Sequence, residues 1–460
     1  MSEGRVPQRA INPATGEEVH AFAGHTSSEV ARFIDEAHEA HLSWRRTSFS
    51  ERAALLRRTA AVLRQRSETY ARLMAMEMGK PLAGGRGEIE KCAWVCEYYA
   101  EHAEHFLTPQ SVATNASESF IAFEPLGVVL AVMPWNFPFW QVFRFVAPAF
   151  MAGNAAVLKH ASNVPGCAMA IEAALSDAGM PEGLLRSLIV DVPEVATIIA
   201  NPRVVAATLT GSTPAGKAVA SQAGAQLKKT VLELGGSDAY VVLEDADLEL
   251  AAEACVTSRL INSGQSCIAA KRWVVVDAVH DAFVEKARAL MAAKRLGDPL
   301  DESTDVGPQA RLDLREGLHA QVQASVALGA QVALGGEKPE GAGAYYPPTI
   351  LTDVAPGMPA YDEELFGPVA SVIRANDEAD AIRIANDSVF GLGAAVFTAD
   401  LERGRRIATQ ELEAGCCFVN AFVRSDPRLP FGGIKQSGYG RELAALGIHE
   451  FVNAKTVYVA

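Results

Sequence analysis

Cys267 stands in the stretch INSGQSCIAAKRW (261–273), where small residues and a glycine leave a thiol sterically open. A nucleophilic sulfur needs that access and a packed core thiol does not, although a lone cysteine is more often an inert buried one. Upstream, VLELGGSDAYVVLEDAD (231–247) sets Glu233 between Leu232 and Leu234, just ahead of Gly235 and Gly236. A carboxyl in an apolar strand end must find a partner or carry a raised pKa, which suits a general base; the plainer alternative is a head group that reaches solvent. Asn136 lies at the C-terminal end of an apolar run, between Trp135 and Phe137-Pro138. Ligands of open α/β sheets bind at such strand ends. An amide there is a ready donor to a developing oxyanion, or simply the residue that holds a turn.

A fourth segment, VVAATLTGSTPAGKAVA (204–220), runs a strand into Gly211-Ser212 and then a helix with Gly216 in its first turn. Backbone amides at a helix start can hold a pyrophosphate, with glycine allowing close approach; many such junctions are ordinary capped turns. Neither a G-x-G-x-x-G fingerprint nor a G-x-x-x-x-G-K-[ST] loop is present.

The elements that must position these residues follow from periodicity. The first hundred residues read as helices: Ser50 is placed to cap SERAALLRRTAAVLRQR, with Ala54, Leu55, Ala61, Val62 and Leu63 inward and the arginines outward. ETYARLMAMEMGK is stopped by Gly79 and Pro81, and IEKCAWVCEYYAEH is again helical. From about residue 118, strand-like runs (SFIAFE, GVVLAVM, AAVLK, RSLIV, VVAATLT, KTVLEL) alternate with helical ones, which implies βα crossovers and a parallel, doubly wound sheet. A second alternating block occupies about 239–430, so two α/β units in series are expected, with a seam near residue 235.

Composition bounds the function. The 460 residues carry 41 Lys+Arg against 55 Asp+Glu, a formal charge of −14, which argues against nucleic-acid or membrane-surface partners. Hydrophobic residues make up 49%, the balance of a folded protein, yet apolar stretches such as GVVLAVM end at strand length. No apolar signal segment opens the chain. Seven cysteines without scaffold spacing point to a reducing cytosol, so a cytoplasmic location is expected. Cys92/Cys96 and Cys416/Cys417 lack histidine partners at zinc-like spacing, and no metal is expected. His38, His41, His102 and His105 sit on polar helical stretches and read as solvated.

Together the blocks MPWNFP (133–138), LKHAS (158–162), TGSTPAG (210–216), LELGGSD (232–238), NSGQSC (262–267), EELFGPV (363–369) and PFGGIKQSGYGRE (430–442) resemble the aldehyde dehydrogenase superfamily, in its order and over most of the chain from INPATGE (11–17) onward. The resemblance implies a cofactor-binding Rossmann-like domain (1–107 and 127–234), a catalytic domain (235–440) and an oligomerisation arm (108–126 and 441–460) serving a homodimer or homotetramer. It implies NAD(P)-dependent oxidation of an aldehyde to its acid. Cys267 would attack as a thiolate, Asn136 and the Cys267 N–H would stabilise the oxyanion, and Glu233 would activate the water that hydrolyses the thioester. Glu364 and Phe366 would place the nicotinamide ribose and ring, with Trp135, Gly211 and Ser212 near the phosphates and Leu234 in the same groove.

The position three after Lys159, often a ribose-binding Glu in the family, is Ser162 here, which removes a repulsion toward a 2′-phosphate and leaves the attraction of Lys159; NADP is therefore expected over NAD. Ser162 could equally cap the helix that follows. The closest resemblance is to short-form succinate-semialdehyde dehydrogenases, whose substrate ends in a carboxylate. Trp140, Arg144, Arg424, Ser425 and Phe431 are the expected substrate contacts, with the arginines as carboxylate partners or, alternatively, as members of surface salt bridges. Longer forms usually carry an Arg where Ile261 stands, so the carboxylate grip must differ. A CoA-acylating dehydrogenase, a cofactor-independent cysteine hydrolase and a non-catalytic use of the fold remain as rivals.

Overall fold

The helices of the N-terminal hundred residues form by local signals that the structure refines. In this computed structural model, which describes residues 6–460, the helix Phe49–Gln65 is capped by Ser48 and not by Ser50. Glu51 decides the point: three residues after Ser48, it takes the Ser48 N–H while Ser48 Oγ accepts from the Glu51 N–H, closing a capping box. Its buried face is Leu55, Leu56, Thr59, Ala60 and Leu63, whereas Ala61 is exposed. Arg52 also points inward, donating to the carbonyls of Met151, Trp44, Arg45 and Thr47, so not every arginine of this helix faces water. His41 is likewise buried, its Nδ1 2.9 Å from Gly153 O, and burial lowers its pKa. The expectation of a solvated ring fails there because the helix Ser27–Trp44 packs on the strand Ala155–His160.

A six-stranded sheet follows in the order Gly438–Tyr439, Lys229–Glu233, Val204–Thr210, Val128–Met133, Ala155–His160, Leu185–Ser187. All neighbours run parallel except the first pair. Its central strands are apolar and buried on both faces, as parallel strands covered by helices must be. The helix Trp140–Ala152 is buried over its whole length. A guanidinium inside it, that of Arg144, therefore has to be neutralised from another element.

The second sheet has seven strands, Gln331–Leu334, Thr349–Thr352, Val369–Ala375, Ala270–Val276, Asp238–Val242, Gly393–Phe397 and Cys416–Val419, again parallel except at the Gln331–Leu334 edge. Separate apolar clusters fill its two faces. The chain then returns: Gly438–Tyr439 pairs antiparallel with Leu232 and Glu233, so these residues hydrogen-bond into the first sheet although the sequence division grouped them with the second. Finally Val452–Val459 pairs antiparallel with Glu118–Pro125 along eight residues and is an edge of its three-stranded sheet. Among the described residues no helix is long and apolar enough to cross a membrane.

The carboxyl ends of the first sheet's strands lead into Trp135-Asn136, Ser162, Gly211-Ser212 and Leu234, while the loop carrying Cys267 precedes a strand of the second sheet. The seam between the sheets is thus the place where the singled-out residues can meet.

Candidate active site

Cys267 is presented by an unusual turn. Asn262, Ser263 and Gly264 all have left-handed backbone angles (φ 54°, 56° and 78°), a conformation that costs non-glycine residues about 1–2 kcal/mol each. The surroundings hold it there. Gly307 N–H donates to Ser263 Oγ at 2.9 Å, Ala310 N–H to Gln265 Oε1 at 2.8 Å, and Asn262 Nδ2 to Asn136 O at 2.7 Å. Glycine is obligatory at 264, because a Cβ would lie 2.2 Å from the Gly367 carbonyl carbon. Lys271, which the sequence reading passed over, donates to Ser266 O (2.9 Å) and Cys267 O (2.7 Å) and pairs with Glu364 (3.2 Å). Burial pushes the Cys267 thiol up to about 12, with Lys271 and Arg144 opposing. Desolvation outweighs the two cations, a balance that favours the protonated thiol before it attacks.

Asn136 is buried, with Nδ2 donating to Gln265 O at 3.1 Å and Oδ1 lacking any protein partner. A primary amide has two N–H donors, so one remains. Glu233 is also buried and neither carboxylate oxygen has a hydrogen-bond partner; a Cβ on Gly432 would meet its Oε1 at 2.6 Å. Burial first, then the nearby Glu442 carboxylate, drives the Glu233 pKa well above the usual carboxylate range, while Arg144 and Arg441 pull the other way. Glu442, the last residue of the 430–442 block, had drawn no role from sequence. It is the buried ion-pair partner of Arg144, which also donates to Thr210 Oγ1 at 3.2 Å and lies 4.9 Å over the Phe431 ring. The alternative of a surface salt bridge for Arg144 is thus replaced by a buried one.

A cavity of about 210 Å³ joins Cys267 to Trp140, Arg144, Arg424, Ser425 and Phe431. All five expected substrate contacts share these walls, whereas Asn136 and Glu233 are not among them. Arg424 is exposed, 5.9 Å from the Phe422 ring centroid, and has no ion-pair partner among the described residues. Lys91 and Ile261 line the same space. Lys91 escaped notice because its helix, Leu82–Phe106, looks like an outer one until the fold is known.

Along the neighbouring groove, Trp135 meets Phe366 edge-on, ring centroids 5.7 Å apart. Ser212 caps the helix Thr213–Ala225 through the Ala215 N–H. The place a Cβ on Gly216 would occupy is filled by Leu234, 2.5 Å away. Gly216 thus serves helix-to-strand packing and not ligand approach, and Leu234 is buried against it. Glu364 accepts from the Gly236 N–H at 3.1 Å in addition to pairing with Lys271. Lys159 is buried without a carboxylate partner among the described residues, and Ser162 is exposed. Ser162 does not cap the following helix Pro165–Asp177, whose cap position is Val164 with no side-chain bond. An unpaired ammonium, a capped helix start and no acid at 162 fit a dinucleotide phosphate.

The fold is shared with known proteins. Residues 1–457 match the aldehyde dehydrogenase family. The chain is 50% identical over 450 residues to a probable succinate-semialdehyde dehydrogenase [NADP(+)] of Synechocystis sp., covering 98% of this chain and 99% of that one. It is 47% identical to the Escherichia coli succinate semialdehyde dehydrogenase [NAD(P)+] Sad, covering 98% and 97%. A crystal structure of succinic semialdehyde dehydrogenase from Streptococcus pyogenes, in complex with NADP+, superposes with a TM-score of 0.96 at 38% identity, covering 98% of this chain and 99% of that one. A family match over residues 1–457, with relatives about half identical along nearly the whole chain, makes this chain a member of the aldehyde dehydrogenase family.

Proposed function

We propose that the protein oxidises succinate semialdehyde to succinate, with NADP preferred over NAD, through a thioester on Cys267. The observation that carries this reading is one small enclosure holding a thiol together with Arg144, Arg424 and Ser425. A carbon electrophile at one end and a carboxylate at the other would satisfy both. The names and NADP complex of the relatives support it.

In this mechanism the Cys267 thiol gives its proton to solvent water as Sγ bonds to the aldehyde carbon, and the carbonyl π pair moves to the oxygen as negative charge. The spare Asn136 N–H and the Cys267 backbone N–H would stabilise that charge. NADP, when bound, supplies the acceptor for the hydride that leaves the same carbon. Lys159 and Ser162 would hold its adenosine ribose and 2′-phosphate, Gly211 and Ser212 its pyrophosphate, and Glu364 and Phe366 its nicotinamide ribose, with Trp135 and Leu234 walling the groove. Glu233 then takes a proton from water; the water oxygen bonds to the thioester carbon, the C–S bond breaks, and the sulfur recovers its electron pair. A pKa raised above the usual carboxylate range by burial and by Glu442 makes the Glu233 carboxylate a stronger base toward water than an exposed one.

The domain division given above and a homodimer or homotetramer belong to the same proposal. The edge strand Val452–Val459, with Tyr458 and Val459 about half exposed, would be covered by a second copy, since an open edge invites pairing. The test is a panel of succinate semialdehyde and butanal, each with NADP and NAD. Succinate semialdehyde with NADP should give the highest kcat/KM. A butanal preference would refute the substrate, and an NAD preference the cofactor.

A further inference from the structure

Lys91 enters the cavity from the helix Leu82–Phe106. Its Nζ donates to Ser425 Oγ at 2.7 Å and stands 4.3 Å from the Trp140 ring centroid. The charged groups around it are almost all engaged elsewhere. Glu88, one turn earlier, pairs with Lys80 and accepts the N–H groups of Phe139 and Trp140 at 2.8 and 2.9 Å. Asp426 pairs with Arg428 at 2.7 Å, and Arg144 with Glu442. Cys92 is a buried thiol whose pKa is raised by burial, and Arg424 is a like charge at the exposed side of the cavity. Lys91 is thus a largely enclosed ammonium with no carboxylate partner among the described residues. Such a group costs free energy until an anion joins it. Ile261, on the same cavity, adds only apolar surface.

We infer that Lys91, acting with the Ser425 hydroxyl, binds the distal carboxylate of the substrate. This rests on the proposed substrate reading. It also assigns the arginines different parts: Arg144 is held by Glu442, and Arg424 guides an anion at the entrance. The Trp140 ring face keeps the ammonium oriented while the substrate is absent, and Ser425 completes the acceptor-facing pair of donors. Burial and Arg144 lower the Lys91 pKa to about 8. The charge is therefore present below that pH and lost above it, until a bound carboxylate raises the pKa again.

The experiment compares wild type, Lys91→Met, Lys91→Arg and Ser425→Ala in the ratio of kcat/KM for succinate semialdehyde to that for butanal. A hydrogen-bonded charge pair predicts a fall of about 10- to 100-fold in Lys91→Met, carried by KM, with recovery in Lys91→Arg and a smaller fall in Ser425→Ala. In wild type, KM for succinate semialdehyde should climb as pH passes about 8, and KM for butanal should not. A wild-type enzyme that discriminates, beside Lys91→Met and Ser425→Ala variants that discriminate as well, overturns the inference alone. A wild-type enzyme indifferent to the carboxylate overturns the substrate reading and this inference with it. Should Lys91→Met melt far below wild type, Ser425→Ala and the wild-type pH profile decide the matter.

Discussion

Replacing Asn136 by alanine separates a chemical role from a structural one. In the resting protein the side chain makes one hydrogen bond, from Nδ2 to Gln265 O at 3.1 Å, and buries an Oδ1 that nothing satisfies. Loss of the bond costs about 1 kcal/mol. Removal of the unpaired acceptor returns a desolvation cost of about 1–3 kcal/mol. Gln265 O also keeps a second donor, Asn262 Nδ2 at 3.1 Å, so the turn stays tied. The truncation leaves space behind the turn, which offsets part of that gain. Folding stability should therefore move by no more than about 1–2 kcal/mol, a shift of a few degrees in Tm for a chain of this size. Turnover should fall by about 10²–10³, the usual loss for one oxyanion donor, or about 2.7–4 kcal/mol of transition-state stabilisation. The assay is stopped-flow formation of reduced cofactor with succinate semialdehyde and NADP, beside a melting curve and an NADP titration. A turnover within about threefold of wild type would remove Asn136 from the mechanism. A turnover loss matched by a comparable loss of stability would make the residue a turn-holder.

Glu233→Gln should keep the first burst of reduced cofactor and lose steady-state turnover by about 10²–10⁴; burst and turnover falling together would refute the base assignment. Because burial and Glu442 raise the Glu233 pKa, its working carboxylate form grows as pH rises through that pKa, so wild-type deacylation should accelerate with pH and the variant should lose that limb. Ser162→Glu should lower the NADP-to-NAD ratio of kcat/KM by about tenfold or more, since like charges a few ångströms apart repel strongly at a protein surface; an unchanged ratio would defeat the charge argument. Gly264→Ala should cost about 2–4 kcal/mol and most activity, because φ is +78° and the new Cβ would sit 2.2 Å from Gly367. Gly224→Ala, in a helix with nothing within 4 Å of the new Cβ, should be neutral or stabilising by about 0.5–1 kcal/mol; equal melting temperatures for the two variants would contradict the packing analysis.

The amino-acid order alone determined the alternation of strands and helices, the motif blocks and the five residues that line one cavity with Cys267. The alternation arises from local periodicity and from glycine and proline punctuation, whereas the five cavity residues followed from the family resemblance that the motif blocks carry. The same signals misplaced a cap, choosing Ser50 where the Ser48–Glu51 pair closes, and gave Gly216 to a ligand when Leu234 occupies the space beside it. Only the tertiary structure decided which charges are already spent. Arg144 meets Glu442, Lys271 ties Cys267 to Glu364, and Lys91 is left facing Ser425 without an acid. Apart from Lys271 and Cys267, these partners lie far apart along the chain and leave no periodic trace. Desolvation, which raises both the Cys267 and the Glu233 pKa, depends on everything packed around a group and not on its neighbours in sequence.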